Sequence, residues 1–253
     1  MNYNYDDFEI IKSLGFGAFG TINLMLNTKT QEKVALKQYK EKINSDAIEE
    51  ALEIGMKLDH VNLMKCYTFF YDRIVTDDNY YRGKSTIHLF SILEYIPGLN
   101  LYKLTKKEKI SEEKMDIYLP QILSGLKYLH ERGIIHRDIK PDNILVDDDK
   151  IKIIDYDFLT TDRKETMVGT PYMLSPEGYL GEILTEKGDI WSLGITIFYC
   201  LHREYPYDAN NRDELRELIL SDYEPDYSKM SKRYQKIVKN MLNKKPEKRS
   251  VIY

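Results

Sequence analysis

His136-Arg137-Asp138-Ile139-Lys140-Pro141-Asp142-Asn143 is the segment that most restricts what this chain can become. It places a carboxylate, an ammonium and a carboxamide within the six residues from Asp138 to Asn143, between two apolar stretches, Gly133-Ile134-Ile135 and Ile144-Leu145-Val146. Such a pattern reads as a polar loop held between buried anchors. Its groups are those needed to orient a hydroxyl, neutralise a transferring phosphoryl group and ligate a divalent metal. Twelve residues after Asn143 stands Asp155, in Ile153-Ile154-Asp155-Tyr156-Asp157, a second carboxylate expected at a strand end. Asn143 and Asp155 together offer the hard oxygen ligands that Mg2+ prefers.

A phosphate-binding element is legible upstream. Gly15-Phe16-Gly17-Ala18-Phe19-Gly20 lies between two strand patterns, and glycines there let the backbone approach phosphate oxygens without an intervening Cβ. A dinucleotide fold would need a helix directly after the glycines, but Thr21 to Leu26 alternates like a strand. Val34-Ala35-Leu36-Lys37 follows on the next strand. Alone, Lys37 reads as a solvated surface lysine; below a glycine loop it reads as a partner for nucleotide phosphates.

Around these motifs the chain divides in character. Phe8–Leu14, Thr21–Leu26, Lys33–Tyr39, Leu63–Phe70 and Ile87–Tyr95 are expected strands, with one helix from the N-cap Ser45 to Leu58. The polar stretch 72–86 reads as a surface loop or hairpin insertion. After Pro97-Gly98 helices dominate: Ser111 to about Arg132 with Ile117, Ile122, Leu126 and Leu129 inward and Pro120 bending it, then Asp189–Leu201, Asp213–Leu220 and Ser231–Asn243. Two lobes joined near 94–99 are expected, with the cleft between them as the default ligand site.

Composition narrows the partners. Of 253 residues, 37 are basic and 41 acidic, giving a net charge of −4, which disfavours nucleic acid as the main partner. Two cysteines exclude a disulfide framework and fit a reducing, cytoplasmic or nuclear compartment. No apolar run reaches the roughly 18 residues of a membrane span, and MNYNYDD does not resemble a signal peptide. Cys66 and Cys200 read as small packed hydrophobes, and His88 and His202 have no partners at metal-ligand spacing.

Taken together, the motifs resemble a eukaryotic-type protein kinase catalytic domain over about residues 8–250. Gly169-Thr170-Pro171 through Ser175-Pro176-Glu177 is similar to that family's activation-loop closure, Asp189-Ile190-Trp191 to the start of its central large-lobe helix, and Arg249 to the partner of Glu177. The resemblance implies an α+β, two-lobed fold in a single domain, 1–253. It would have a small β-rich N-lobe (1–96) with one main helix, a hinge (94–99) and a larger, mostly helical C-lobe (100–253). It further implies that Leu14, Ile22, Ala35 and Leu145 sandwich adenine, that Glu94 and Ile96 offer it backbone groups behind Leu93, and that Asn100 lies near the ribose. Gly15, Gly17 and Gly20 then cover the phosphates, Lys37 holds two of them, and Asn143 and Asp155 bind Mg2+, with Mn2+ as the alternative. Asp138 orients the attacking hydroxyl and Lys140 meets the γ-phosphate. The DIKPDN form and Thr170 are similar to serine/threonine kinases, so the implied reaction is transfer from ATP to serine or threonine of a protein substrate, by an assumed monomer. Arg137 and Thr166 suggest a phosphate-ordered activation loop.

The chain departs from the family pattern in three places, and the first two keep a rival open, a pseudokinase that binds nucleotide and regulates a partner. Asp157 stands where the family has glycine, for which slower loop switching with metal binding retained is expected. Ala51 falls where the helix glutamate belongs, and one residue along a helix rotates a side chain by about 100°, so either the helix is shifted and Glu50, or else Glu53, turns toward Lys37, or the ion pair is absent; Glu50 is the expected partner. The sequence also stops four residues after Arg249, where relatives usually add a helix. A small-molecule kinase is disfavoured by the peptide-docking resemblance of Gly169–Glu177.

Overall fold

The computed structural model describes residues 3–41, 44–76, 84–162 and 169–250. They form two compact units, one of residues 1–59 with 64–96, the other of residues 60–63 with 97–253.

The first unit is a five-stranded antiparallel sheet in the order β1-β2-β3-β5-β4, from β1 (Phe8–Phe16), β2 (Gly20–Asn27), β3 (Lys33–Tyr39), β4 (Cys66–Thr76) and β5 (Lys84–Glu94). Alternation along the strands sends Phe8, Met25, Val34, Leu36, Phe90 and Ile92 into one apolar core, capped by Tyr3, Tyr5 and Phe70. The polar stretch 72–86 is partly strand: β4 and β5 stay paired out to Thr76 opposite Lys84, and 77–83 lie outside the described residues. Helix α1 (Ser45–Met56) takes Asn44, not Ser45, as its N-cap. Its buried residues Ile48, Ala51, Leu52 and Gly55 recur at the three- and four-residue spacing of one helical face.

In the second unit the short antiparallel sheet β6 (Leu99–Asn100), β7 (Ile144–Asp147) and β8 (Lys150–Ile153) lies beside a helical body. The β7–β8 turn places Asp148 and Asp149 at φ 46° and 62°, the left-handed pair that two-residue hairpins favour. The helices are α2 (Leu101–Lys107), α3 (Glu112–His130), α4 (Pro176–Tyr179), α5 (Glu186–His202), α6 (Arg212–Leu220) and α7 (Lys232–Met241). Helix α3 is capped by Ser111 Oγ, which accepts from Lys114 N–H at 3.3 Å, and it continues through Pro120. Ile122, Leu126 and Leu129 are buried, but Ile117 is 44% exposed, because it falls off the stripe that Met115, Tyr118, Ile122 and Leu126 define. From Asp189 to Leu201 every residue of α5 is buried, which makes it the axis of this unit.

Leu63 does not open a strand of the first sheet, as its pattern suggested. It bridges to Ile153 in the second unit, where Asn62 Nδ2 donates to the Ile151 carbonyl at 3.0 Å and the Ile153 N–H to the Asn62 carbonyl at 2.8 Å. Burial of Leu63 to 1% exposure beside α3 and β8 outweighs its strand propensity.

The base of the second unit is held by a buried ion pair. Arg249 and Glu177, 1% and 4% exposed, meet through two hydrogen bonds of 2.5 and 2.6 Å. The remaining guanidinium N–H groups donate to the carbonyls of Asn243, Lys187 and Lys244, so all five donors are used, and the plane lies 5.1 Å from the Trp191 ring centroid. Removing one partner strands a buried charge. Arg249→Ala and Glu177→Ala should each destabilise this unit by about 3–5 kcal/mol in denaturant titrations, and the double variant by less than the sum of the two.

Candidate active site

In the first unit the glycine segment, Ile22 and Lys37 are placed by strand register. Gly15 pairs with Ile22, Ile22 with Lys37, and Lys37 with Ser91, so they form one row across β1, β2, β3 and β5. Ala35 stands opposite Leu93 in the next part of the ladder, and Leu14 sits at the β1 bulge between Ser13 and Gly15. Lys37 is not the solvated lysine that isolated reading would give: it is 5% exposed, its ammonium 5.1 Å from the Tyr39 ring centroid. The Glu94 N–H is committed to the Lys65 carbonyl at 2.9 Å, and half-buried Ile96 follows the end of β5.

The three glycines have different reasons. A Cβ on Gly20 would lie 1.9 Å from the Gln38 carbonyl oxygen, so the packing of β2 on β3 itself demands glycine. At Gly15 a Cβ would meet nothing within 4 Å, and at Gly17 only the Gly20 carbonyl at 3.9 Å. The fold does not require those two, and their bare backbone leaves room for a ligand.

Helix α1 corrects the expectation for the helix glutamate. Glu50 and Glu53 are both exposed, Ala51 and Leu52 face inward, and Glu49 accepts a hydrogen bond from the Tyr71 hydroxyl. The apolar stripe fixes the helix's rotation, and either glutamate could turn in only by turning that stripe out.

In the second unit the loop of Asp138, Lys140 and Asn143 closes on itself. Asp138, 3% exposed, receives Lys140 Nζ at 2.6 Å and Asn143 Nδ2 at 2.9 Å on Oδ2, and the Thr170 hydroxyl at 3.1 Å on Oδ1. Lys140 also donates to Thr170 Oγ1 at 3.0 Å. Gly169, at φ 103°, lets the Thr170 segment come this close, since a Cβ there would lie 2.8 Å from the Arg137 carbonyl. Asn100 Nδ2 donates to the Asp142 carbonyl at 3.1 Å and pairs in β6 with Leu145 of β7.

Asn143 and Asp155, the pair expected to ligate metal, offer oxygen donors of the kind a divalent cation takes. Asn143 spends its Nδ2 on Asp138, which leaves its amide oxygen as the donor atom, and the Ile154 N–H binds the Asn143 carbonyl at 2.9 Å, which brings the Asp155 segment alongside. Asp155 has φ 68°. Asp157 is buried, and its φ is not in the left-handed region, so this conformation does not need glycine there. Tyr156, also buried, meets the His136 ring edge-on at 6.3 Å. Thr166 lies outside the described residues.

Sequence reading missed the anchor of this loop. Asp189, 1% exposed, accepts from the His136 N–H on Oδ2 and from the Arg137 N–H on Oδ1, both at 2.9 Å, and from His130 Nε2 at 2.8 Å. Arg137 has φ 65°, an unfavourable backbone for a residue with a Cβ, and these bonds hold it there. Its side chain reaches back to the Phe158 carbonyl at 2.8 Å. The available signal was an aspartate in the first turn of a helix that continues as a mostly apolar run, since a carboxylate there needs donors.

Comparison with known proteins agrees with this geometry. Residues 8–252 match the family model described as protein kinase domain. A probable myosin light chain kinase of Dictyostelium discoideum is 30% identical over 97% of this chain and 72% of its own length. An Aurora kinase of Yarrowia lipolytica is 34% identical over 98% of this chain and 66% of its own, and calcium-dependent protein kinase 4 of Plasmodium falciparum 30% over 94% and 46%. The chain belongs to the protein kinase domain family, whose members use ATP and a divalent metal. It spans from about half to about three quarters of the length of these relatives, and a probable serine/threonine-protein kinase nek2 of Dictyostelium discoideum is 31% identical over 96% of this chain and 60% of its own length.

Burial makes the loop anchor sensitive to acid. Burial also pushes the His136 imidazole below its ordinary pKa, against the pull of Asp189, Asp138 and Asp155. For Asp189 burial acts upward, but the His130 hydrogen bond, the two histidines and the His136 N–H outweigh it and hold the carboxyl low. Both native values are depressed, so both contributions are complete above the unfolded values and are lost as pH falls through the folded ones. Stability should therefore decline from about pH 6.5 downward through His136, and again below about pH 4 through Asp189. In urea titrations across pH, His136→Phe should flatten the upper part of this decline and leave the lower part.

Proposed function

We propose that the chain is an active protein serine/threonine kinase that transfers the γ-phosphoryl group of ATP to a serine or threonine hydroxyl, with Mg2+ as its metal. The observation that carries this reading is the closed arrangement of Asp138, Lys140, Asn143 and Thr170. Lys140 and Asn143 fix Asp138 Oδ2, so Oδ1 is the oxygen left to work on a hydroxyl, and it already accepts one from a threonine. An acceptor serine or threonine has the same chemistry and would replace Thr170 on Oδ1, oriented and relieved of its proton as the new bond forms. Lys140 Nζ then stands beside the reacting oxygen as a fixed positive charge, where it offsets the charge of the transferring group. Nucleotide and metal, when bound, supply the phosphoryl group and its charge neutralisation; Lys37 would take the phosphates, and Asn143 Oδ1 with Asp155 the cation. The resemblance of Gly169–Glu177 to a peptide-docking segment supports a protein substrate. The two buried free thiols, Cys66 and Cys200, support a reducing compartment, cytoplasmic or nuclear.

The rival reading of a pseudokinase has its support in the inward Ala51 and the exposed Glu50 and Glu53. A phosphotransfer assay on generic protein substrates, run beside nucleotide binding, separates the two. Wild type should label serine and threonine, and Asp138→Asn should lose about 10²–10⁴-fold in kcat while still binding ATP. Binding of ATP without transfer, in Mg2+ and in Mn2+, would refute the kinase reading in favour of the scaffold. In the same assay Thr170→Ser should keep most of the activity and Thr170→Val should lower kcat by at least about tenfold, since the hydroxyl still accepts from Lys140 Nζ and positions it once the acceptor has taken Oδ1.

A further inference from the structure

The glycine segment carries a feature that neither its motif nor the family resemblance assigns. At the end of β1, Phe16 is 76% exposed, and Gly17 and Ala18 in the bend beyond it are exposed as well. The bend closes at its base through the Gly17 N–H, which donates to the Gly20 carbonyl at 2.8 Å. At the tip a single residue makes three contacts. The Lys40 N–H donates to the Phe19 carbonyl at 2.8 Å, its ammonium donates to the Ala18 carbonyl at 2.8 Å, and the same ammonium lies 4.6 Å from the Phe16 ring centroid.

We infer that Lys40 is a positioning residue for nucleotide binding, a clip that holds the phosphate-covering loop in its bent form. The inference rests on the kinase reading above. Lys40 directly follows β3, the strand that carries Lys37, so one strand end positions both the buried ammonium and the loop tip. The backbone bond alone fixes one carbonyl of the loop. The side chain adds a second carbonyl two residues from the first aromatic of the tip and covers that ring with a cation, a contact that works at exposed sites. Without it the Ala18 carbonyl and the Phe16 ring lose their hold, leaving the backbone bonds of Gly17 to Gly20 and of Lys40 to Phe19, and binding a triphosphate must first order the bend. Either a guanidinium or an ammonium can make the paired carbonyl and ring contacts; an uncharged apolar chain cannot.

The test uses the full chain with Lys40→Ala, Lys40→Met and Lys40→Arg, and with adenosine and a non-hydrolysable ATP analogue as probes. Lys40→Ala and Lys40→Met should bind the analogue about five- to tenfold more weakly, the scale of one residue's backbone ordering, and adenosine as wild type does. In turnover the loss should appear in KM for ATP more than in kcat, and Lys40→Arg should restore it. Amide exchange of residues 14–20 in the nucleotide-free protein should quicken in the Ala and Met variants with the melting temperature unchanged. Equal exchange and equal analogue affinity in all four proteins would overturn the clip, and so would equal weakening of adenosine. A wild type that binds no nucleotide would overturn the kinase reading instead, and the exchange comparison would still decide whether Lys40 orders the loop.

Discussion

The buried carboxylate of Asp189 sets the geometry on which the second unit's chemistry depends. A charge at 1% exposure is expensive unless donors surround it, and here the donors are the two successive backbone N–H groups of His136 and Arg137 and the ring of His130. Satisfying that charge therefore holds the chain at the entry to the Asp138–Asn143 loop, left-handed Arg137 included. From that fixed point the loop turns so that Asp138, Lys140 and Asn143 converge within hydrogen-bonding distance. Helix α5, buried along its length, carries the anchor and also packs on α7, so the site inherits the rigidity of the unit's core.

The first unit solves a different problem. Its antiparallel register alone sets the bare glycine backbone and the buried Lys37 ammonium in one row, the two features proposed to meet nucleotide phosphates. Gly15, Ile22, Lys37 and Ser91 line up because each strand is paired to the next. The glycines divide the labour: Gly20 answers to strand packing, while Gly15 and Gly17 answer to nothing in the chain itself.

The departures from the family pattern have unequal weight once seen in place. Asp157 adopts a backbone any residue can hold, and its burial ties it to the fold in this conformation; what glycine would add is access to other conformations. The helix position is the more consequential change. Four apolar or small residues at helical spacing determine which way α1 faces, and the three glutamates fall on its other sides, Glu49 against the Tyr71 hydroxyl.

Much of this molecule was legible in its sequence, because some determinants are local. Strand alternation, glycine spacing, the cap Ser111, and the order of Lys37, Asp138, Asn143 and Asp155 depend only on neighbouring residues, and they defined the fold class and the candidate chemistry. Other outcomes were decided by partners distant along the chain. Leu63 left its strand pattern for Ile153, Ile117 turned outward where the α3 stripe passed it by, and Asp189 acquired a role no local pattern displays. Sequence by itself determined which groups are present and their local periodicity. Only tertiary structure decided which buried charge finds which donor, because the cost of an unpaired group in the core is settled by residues fifty or more positions away, as between Asp189 and His136.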